Sequence, residues 1–240
     1  MSGFIRELRM IWDRVDDSSV YPWSIPALST LDVLPLNPGV TFFIGENGSG
    51  KSTLIEALAI GCGFNAEGGS KNFNFSTRAS ESPLHETLRI VRTGQREKTG
   101  FFLRAESLFN VATEVEESQL MQYGWVSLHE RSHGEAFLWL LNNRFGGNGL
   151  YIMDEPEAAL SPQRQLAMLV ALNSLVQQGS QIIIATHSPI LMAFPGATIY
   201  QLDENGVAPI AYRQTEHYRV THDFLADPER MLHLLLSEDE

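Results

Sequence analysis

Cysteine is almost missing from this chain, whose 240 residues include one, Cys62. A single cysteine excludes an internal disulfide framework and a cysteine-ligated zinc site, and the sequence predicts no metal cluster. Positive charge is scarce as well, because 17 Lys and Arg stand against 29 Asp and Glu and give a formal net charge of −12 at pH 7. An acidic surface of this kind argues against strong nonspecific binding of nucleic acid, although it leaves room for a local basic patch.

Long apolar runs are also missing. The chain has no stretch of the length that a membrane-spanning helix needs, and no secretory signal or lipidation motif is evident. We therefore expect a cytoplasmic protein with no integral membrane segment. Hydrophobic residues make up 43% of the chain, which is enough for one α/β domain with a sizeable core. We expect a single domain over residues 1–240.

A glycine-rich segment at 45–53 reads Gly-Glu-Asn-Gly-Ser-Gly-Lys-Ser-Thr and fits the phosphate-binding pattern G-x-x-x-x-G-K-[ST]. An apolar run rich in β-branched and aromatic residues precedes it at 40–44, and a helix-forming run follows it at 54–60. Strand, glycine-rich loop and helix are the context in which this pattern forms a P-loop. The alternative is a glycine-rich turn that only caps the helix.

The residue types in this segment suit a triphosphate. Glycines let the backbone turn sharply and direct its N–H groups at phosphate oxygens, and the start of the helix adds the positive end of its dipole. Lys51 would neutralise charge on the β- and γ-phosphates, and the Ser52 hydroxyl would hold Mg²⁺. We therefore predict that the chain binds a nucleoside triphosphate. The predicted ligands are Gly45, Glu46, Asn47, Gly48, Ser49, Gly50, Lys51, Ser52 and Thr53.

Two acidic residues, Asp154 and Glu155, come directly after an apolar run at 150–153 that reads as a buried strand. A carboxylate at the carboxyl end of such a strand is placed to bind Mg²⁺, so Asp154 joins Ser52 as a predicted metal ligand. Glu155 could polarise the water that attacks the γ-phosphate. The alternative is a polar strand end that serves solubility or caps a helix.

Two further segments are candidates for phosphate contact. His187 follows another predicted strand at 181–185, from which it could reach the terminal phosphate; the alternative is a structural histidine. Ser132-His133-Gly134-Glu135 begins a predicted helix. Its Ser-x-x-Glu pattern is typical of a capping box, and the start of a helix can also bind a phosphate. Nothing local decides between these two interpretations.

Predicted strands and helices alternate along much of the chain. A half-exposed strand is predicted at 4–12, buried strands at 40–44, 150–153 and 181–185, and helices at 54–60, 136–144 and 163–178. This order predicts an α/β fold with a mostly parallel sheet flanked by helices on both faces. We also expect a long loop over 63–82, a β-hairpin of 199–202 with 207–212, and a C-terminal helix over 228–236.

Two more strands are predicted at 88–92 and 100–104, on either side of a polar turn. The dense basic cluster of this acidic chain lies here and consists of Arg89, Arg92, Arg96 and Lys98. It indicates either a solvated hairpin or a contact with a phosphate backbone.

The order of the motifs resembles that of the ATP-binding-cassette (ABC) ATPases. The P-loop, Ser-x-Gly-Glu at 132–135, Asp-Glu-Pro at 154–156 and the strand-end His187 follow one another as they do in that superfamily. The P-loop and the run at 154–161 look most like the soluble RecF/SMC-type heads among the AAA-family P-loop ATPases. The resemblance covers roughly residues 4–212. It implies a P-loop NTPase fold of the ABC type, with an N-terminal antiparallel β lobe and a short helical lobe at about 105–146.

The resemblance also implies cofactors and roles. The cofactors would be ATP and Mg²⁺, and the reaction would be ATP hydrolysis. Lys51 and Ser52 would handle phosphates and Mg²⁺, and Asp154 would be the Walker B carboxylate. Glu155 would be the catalytic base and His187 the switch histidine, so the implied catalytic residues are Lys51, Glu155 and His187.

Ser132 and Gly134 fall on the signature motif, which in this family contacts ATP bound by the opposite subunit. The resemblance therefore implies that ATP binding produces a head-to-tail homodimer with two ATP molecules sandwiched between the subunits. Hydrolysis would open this dimer.

Some positions depart from the family pattern. Arg131 and His133 replace the leucine and the first glycine of the signature, and Ser161 replaces the D-loop aspartate. Arg104 aligns with the usual Q-loop glutamine, and Glu106 is a candidate to take over its task. These departures predict slow or partner-stimulated hydrolysis.

Several functions are compatible with such an ATPase. The resemblance to RecF/SMC-type heads favours a role in DNA repair, maintenance or defence, with DNA as a partner. The alternatives are the ATPase subunit of an ABC transporter, a small-molecule kinase, and an ATP-dependent switch that regulates a partner nuclease. A cramped helical lobe and the absent Q-loop glutamine argue against the transporter subunit.

Overall fold

The computed structural model describes residues 3–70, 82–104 and 133–237 of the chain. Within these ranges the chain forms ten strands in two sheets. The strands are β1 (Ile5–Met10), β2 (Val33–Pro35), β3 (Val40–Ile44), β4 (Gly69–Ser70), β5 (Leu88–Arg92), β6 (Thr99–Arg104), β7 (Gly149–Asp154), β8 (Gln181–Ala185), β9 (Thr198–Asp203) and β10 (Gly206–Pro209).

The same ranges contain eight α-helices, which are α1 (Pro26–Ser29), α2 (Lys51–Gly61), α3 (Leu84–Thr87), α4 (His133–Arg144), α5 (Pro162–Gln177), α6 (Pro189–Met192), α7 (Glu216–Ala226) and α8 (Pro228–Leu236). Short 3₁₀ turns occur at Trp12–Arg14, Pro156–Ala159 and Tyr212–Gln214. The helix at 216–226 was not predicted from the sequence, whereas the C-terminal helix was. Asp227 caps that last helix by accepting a hydrogen bond from Arg230 N at 3.0 Å.

The larger sheet has the strand order β10-β9-β3-β8-β7-β6-β4. Its five inner strands are parallel, and the two outermost described strands pair antiparallel to their neighbours. The central strands β3, β7 and β8 are buried along their whole length, as expected for parallel strands covered on both faces. The predicted α/β fold with a mostly parallel sheet is confirmed.

Strand register brings the ends of four strands to one edge of this sheet. Ala185 at the end of β8 pairs with Phe43 of β3 and with Asp154 of β7, and Asp154 pairs with Arg104 of β6. Because all four strands are parallel, the loops that follow them meet at the same edge.

A hydrophobic core lies on each face of the larger sheet. One cluster joins α4 and α5 to the sheet and includes Phe137, Met168 and Leu172. The other places α2, with Leu54 and Leu58 buried, between the larger sheet and the smaller one. Burying one such side chain contributes roughly 1.5–3 kcal/mol, so both faces help to hold the strand ends in place.

The smaller sheet is antiparallel, with β1 between β2 and β5, and corresponds to the predicted N-terminal β lobe. The buried amide of Gln181 in β8 ties this sheet to the larger one. Its Oε1 accepts from the backbone N–H groups of Phe4 (2.7 Å) and Ile5 (2.8 Å), and its Nε2 donates to the carbonyls of Ile5 (2.8 Å) and Asn37 (2.9 Å).

The predicted strands at 88–92 and 100–104 are confirmed as β5 and β6, but their interpretation as a hairpin is wrong, because β5 pairs with β1 in the smaller sheet and β6 pairs with β7 in the larger one. The predicted loop over 63–82 is corrected at Gly69–Ser70, which form β4 and pair with Phe101 and Phe102 of β6, and its residues 71–81 lie outside the described residues. Backbone groups at a sheet edge favour pairing even in a glycine-rich segment. The hairpin of β9 and β10 across Asn205-Gly206 is confirmed.

Much of the predicted helical lobe at about 105–146 lies outside the described residues, which contain its helix α4 and the turn after it. The assignment of residues 1–240 to a single domain stays a prediction.

Candidate functional site

The glycine-rich loop joins β3 to α2 with a backbone that glycine alone adopts readily. Gly45, Gly48 and Gly50 have φ values of 149°, 81° and 97°, in the region that a Cβ disfavours. A Cβ added to Gly45 would also overlap the carbonyl oxygen of Leu202. Steric exclusion therefore requires glycine at position 45, independently of any role in ligand binding.

Lys51, the first residue of α2, folds back over this loop. Its side chain is buried, and Nζ donates to the carbonyl oxygens of Gly45 at 2.9 Å and Glu46 at 2.8 Å. Burial lowers the pKa of Lys51, and the negative charges of Glu155, Asp154 and Glu157 oppose that shift. The ammonium group thus stands between the loop and the carboxylates at the end of β7.

The two predicted metal ligands are in contact. Ser52 Oγ donates to Asp154 Oδ1 at 3.1 Å although the residues are 102 positions apart in the sequence. Asp154 is 6% exposed and ends β7. A hydroxyl and a carboxylate oxygen are ligands that Mg²⁺ prefers.

Arg104, at the position of the family's glutamine, makes two ion pairs here. Its Nη1 lies 2.9 Å from Glu56 Oε2 of α2, and its Nε lies 3.8 Å from Asp154 Oδ2. The chain thus has a fixed positive charge beside the predicted metal position. Glu106, proposed from the sequence as the glutamine's replacement, lies outside the described residues.

Glu155 has left-handed backbone angles of φ 49° and ψ 50°, which are uncommon for a residue with a side chain. Its N–H donates to Ala185 O at 2.9 Å, which anchors it to the end of β8. The carboxylate points to the strand-end histidine, since Glu155 Oε1 is 3.5 Å from His187 Nε2.

His187 is held from both sides. Its backbone N–H donates to Glu157 Oε1 at 2.5 Å, and its ring Nδ1 lies 3.1 Å from Nε2 of His217 in α7. Sequence reasoning missed His217. It lies 30 residues further along the chain, in a helix that was not predicted, and no motif marks it.

Gly134 is the one predicted signature residue that lies among the described residues. Gly134 is buried in the first turn of α4. A Cβ added at this position would lie 2.6 Å from Arg164 Nη1 and 2.8 Å from Ala159 O, so a larger residue would clash with both. Ser161, at the D-loop position, caps α5 and accepts from Arg164 N at 3.4 Å. Ser132 lies outside the described residues.

A cleft of about 460 Å³ opens beside the P-loop. One wall is the loop itself, and the facing wall is built from the β9–β10 turn and the start of α7. Its lining residues are Pro26, Ala27, Ile44, Gly45, Glu46, Asn47, Gly48, Ser49, Gln201, Leu202, Asp203, Glu204, Asn205, Glu216 and His217.

The residues present fit a nucleoside triphosphate with Mg²⁺. The hydroxyl of Ser49 is buried in the loop with no hydrogen-bond partner among the described residues, and such a group calls for a ligand. Lys51 and the loop's N–H groups suit phosphates, and Ser52 with Asp154 suits the metal. The described ranges contain no group of three or more His, Cys, Asp or Glu that could hold a metal by itself. Phosphate oxygens and water would therefore complete the coordination of Mg²⁺.

The parallel sheet, the P-loop between β3 and α2, and the Ser52–Asp154 contact define a P-loop NTPase. None of its described helices has the length and apolar character needed to cross a membrane.

Sequence comparison supports this class. A family model described as an AAA domain matches residues 28–121, and one described as an AAA ATPase domain matches residues 137–192. An uncharacterized ABC transporter ATP-binding protein of Haemophilus influenzae is 36% identical over 77 residues, which are 32% of this chain and 29% of that protein's length.

Two solved structures are similar in fold. CbiO1 from Clostridium perfringens, part of the ABC transporter complex cbiONQ, superposes with a TM-score of 0.52 at 15% identity over 98% of this chain and 99% of its own. The SMC head domain from Thermotoga maritima gives a TM-score of 0.47 at 14% identity over 88% of this chain and 100% of its own. The chain thus has the P-loop NTPase fold, contains sequence that matches AAA-type ATPase domains, and is similar in fold to the ATPase domain of an ABC transporter.

Proposed function

We propose that this chain binds ATP with Mg²⁺ and hydrolyses it to ADP and phosphate. One observation carries the proposal: Ser52 Oγ of the P-loop helix and Asp154 Oδ1 at the end of β7 meet at 3.1 Å across 102 residues of sequence. Because Lys51 and Glu155 adjoin these two residues in sequence, the phosphate ligand and the catalytic carboxylate come to the same edge of the sheet.

Each residue then has a defined task. The N–H groups of the P-loop and the ammonium of Lys51 would bind the phosphates, and Ser52 and Asp154 would hold Mg²⁺. The metal would supply positive charge that stabilises the reacting phosphate. Glu155 accepts a proton from the attacking water, and His187 donates from Nε2 to the terminal phosphate.

We also propose that ATP drives the formation of a head-to-tail homodimer. The resemblance of residues 132–135 to the ABC signature motif supports this proposal, because that motif contacts ATP bound by the opposite subunit; Gly134 itself packs against Ala159 and Arg164. Ser132 would contact the same nucleotide.

Size-exclusion chromatography of Glu155→Gln with and without ATP and Mg²⁺ tests binding, hydrolysis and dimerisation together. We expect a monomer without nucleotide and a stable dimer with ATP, because the amide cannot accept the proton of water. Wild type should dimerise only transiently. A Glu155→Gln protein that turns over ATP as fast as wild type would contradict the role of Glu155, and failure to bind ATP would overturn the proposal.

For the physiological role we propose DNA repair, maintenance or defence, on the basis of the P-loop and Asp-Glu-Pro resemblance to RecF/SMC-type heads. The basic cluster offers limited support. Arg92 is paired with Glu97 at 3.0 Å, while Arg89, Arg96 and Lys98 stay exposed. Gel-shift assays with duplex and single-stranded DNA in each nucleotide state test this role, and no shift in any state would exclude DNA as the partner.

The second candidate role is the ATPase subunit of an ABC transporter. The name of the Haemophilus relative and the complex that contains the Clostridium protein favour it. Purification of the tagged chain from membranes and from the soluble fraction separates the two roles. Recovery of a stoichiometric membrane permease would favour transport, and recovery of a nuclease would favour the ATP-switch alternative. We propose a cytoplasmic location in each case.

A further inference from the structure

A hydrogen bond between two imidazoles joins the loop after β8 to α7. Nδ1 of His187 and Nε2 of His217 are 3.1 Å apart, and the ring centroids are 5.3 Å apart. His217 is the second residue of α7, and hydrogen bonds of the N-cap residue Thr215 fix the start of this helix. The buried Thr215 accepts from Tyr218 N at 3.2 Å and donates to Tyr212 O at 2.8 Å. The folded chain therefore fixes where His217 stands.

A neighbouring carboxylate indicates which ring supplies the shared proton. His187 Nε2 lies 3.5 Å from Glu155 Oε1. A lone pair on that nitrogen would face a negative charge, whereas an N–H there is attracted to it. A neutral His187 with its proton on Nε2 has an unprotonated Nδ1, which is an acceptor. His217 must then donate through its own Nε2–H.

The surroundings of His217 also favour donation from its Nε2–H to Nδ1 of His187. Burial lowers the pKa of His217, and the neighbouring His187 and Lys51 lower it further, while Glu216 opposes them. A neutral imidazole has one N–H. Nδ1 of His217 and Nε2 of His187 are both buried without a hydrogen-bond partner among the described residues. Nε2 of His187 has a carboxylate oxygen 3.5 Å away, and Nε2 of His217 has Nδ1 of His187 at 3.1 Å, whereas a proton on Nδ1 of His217 would have no acceptor there. The single N–H therefore belongs on Nε2.

We propose that His217 is a positioning residue for the ATPase reaction, whose Nε2–H fixes His187 in the orientation and tautomer that presents Nε2–H to the terminal phosphate. This inference rests on the proposed function, which places His187 at that phosphate. His217 lines the cleft beside the P-loop, but its part in this scheme is its hydrogen bond to His187. It acts through His187.

Substitutions at His217 test the donor directly. Gln places an amide N–H near the position of Nε2, Asn places one near Nδ1, and Ala removes the donor. We expect His217→Ala and His217→Asn to lower kcat about 3- to 10-fold with little change in KM for ATP, since one neutral hydrogen bond is lost. His217→Gln should restore most of the rate. His222→Ala, an exposed histidine of the same helix, should behave as wild type.

A double-mutant cycle separates positioning from general destabilisation. If His217 acts through His187, then His217→Ala should cost nothing further in a His187→Ala background. The same fold loss in both backgrounds would overturn the proposal, as would Asn rescuing as well as Gln.

A measurement on the nucleotide-free protein decides the tautomer. Long-range ¹H–¹⁵N spectra of the seven histidines, assigned with single substitutions, distinguish a protonated from an unprotonated ring nitrogen. We expect Nε2–H at both His187 and His217 in wild type, and a mixture of tautomers at His187 in His217→Ala. Nδ1–H at His187 in wild type would overturn the inference. A wild type that fails to hydrolyse ATP would instead refute the proposed function, and the ring spectra would still decide the imidazole pair.

Discussion

Arg104 Nε lies 3.8 Å from Asp154 Oδ2, while the other oxygen of the same carboxylate accepts from Ser52 at 3.1 Å. One oxygen of the predicted metal ligand is thus engaged with the P-loop helix and the other with a guanidinium. A positive charge at this distance competes electrostatically with a divalent cation.

We therefore expect Arg104→Gln to bind Mg²⁺ more tightly than wild type. The Mg²⁺ concentration that half-saturates ATP binding should fall at least about threefold. A threefold change is about 0.7 kcal/mol, a fraction of the few kcal/mol that a charge near 4 Å contributes before solvent screening. Titration of a fluorescent ATP analogue with Mg²⁺ measures it. Arg104→Lys keeps the charge and should keep the wild-type dependence, so equal shifts in both variants would contradict the argument.

Lys51→Ala should weaken ATP binding at least about tenfold, because the variant loses the cation that faces the phosphates. Isothermal titration calorimetry with ATP and Mg²⁺ measures the loss. Lys98→Ala removes an exposed lysine and should bind as wild type does. Similar affinities of Lys51→Ala and wild type would place the nucleotide elsewhere.

Gly45→Ala should destabilise the fold as well as the site. Its φ of 149° and the overlap of the added methyl group with Leu202 O predict a loss of roughly 1–3 kcal/mol in the free energy of unfolding. Urea denaturation measures it. Gly94, which has open space at its Cβ position, provides the control Gly94→Ala, and an equal loss in both variants would argue against the steric explanation.

Gln181→Leu should lower the free energy of unfolding by about 2–5 kcal/mol, because the variant leaves the buried backbone groups of Phe4 and Ile5 and the partly buried carbonyl of Asn37 without this partner. The side chain of Gln181 has no exposed surface, so water cannot replace its amide. Gln178→Ala alters an exposed glutamine and should change stability by less than about 0.5 kcal/mol. Denaturation midpoints that match wild type would show that the two sheets are held together by other contacts.

The sequence predicted much of the site because its motifs report local geometry. The pattern at 45–53 specifies a turn, and Asp154 and His187 could be placed because parallel strands end at one edge of a sheet. Pairing choices between distant segments leave no such local mark. For that reason the sequence predicts a hairpin of β5 and β6, although the two strands belong to different sheets.

The contacts of Arg104 and His217 could not be predicted either, because they also join segments that are distant in the sequence. The ion pairs of Arg104 depend on where α2 and β7 stand relative to β6, which no spacing encodes. His217 lies in a helix with no buried residue, and its contact with a histidine 30 positions earlier follows from tertiary placement that no sequence pattern reports.

The first turn of α7 borders the nucleotide cleft, whereas no residue of α7 or α8 is buried. An 11-residue helix is about 16 Å long, so a slight tilt at its root becomes a displacement of several ångströms at its tip. We therefore expect the signal of a fluorophore attached near the end of α8 to change when nucleotide binds, although the label lies outside the pocket.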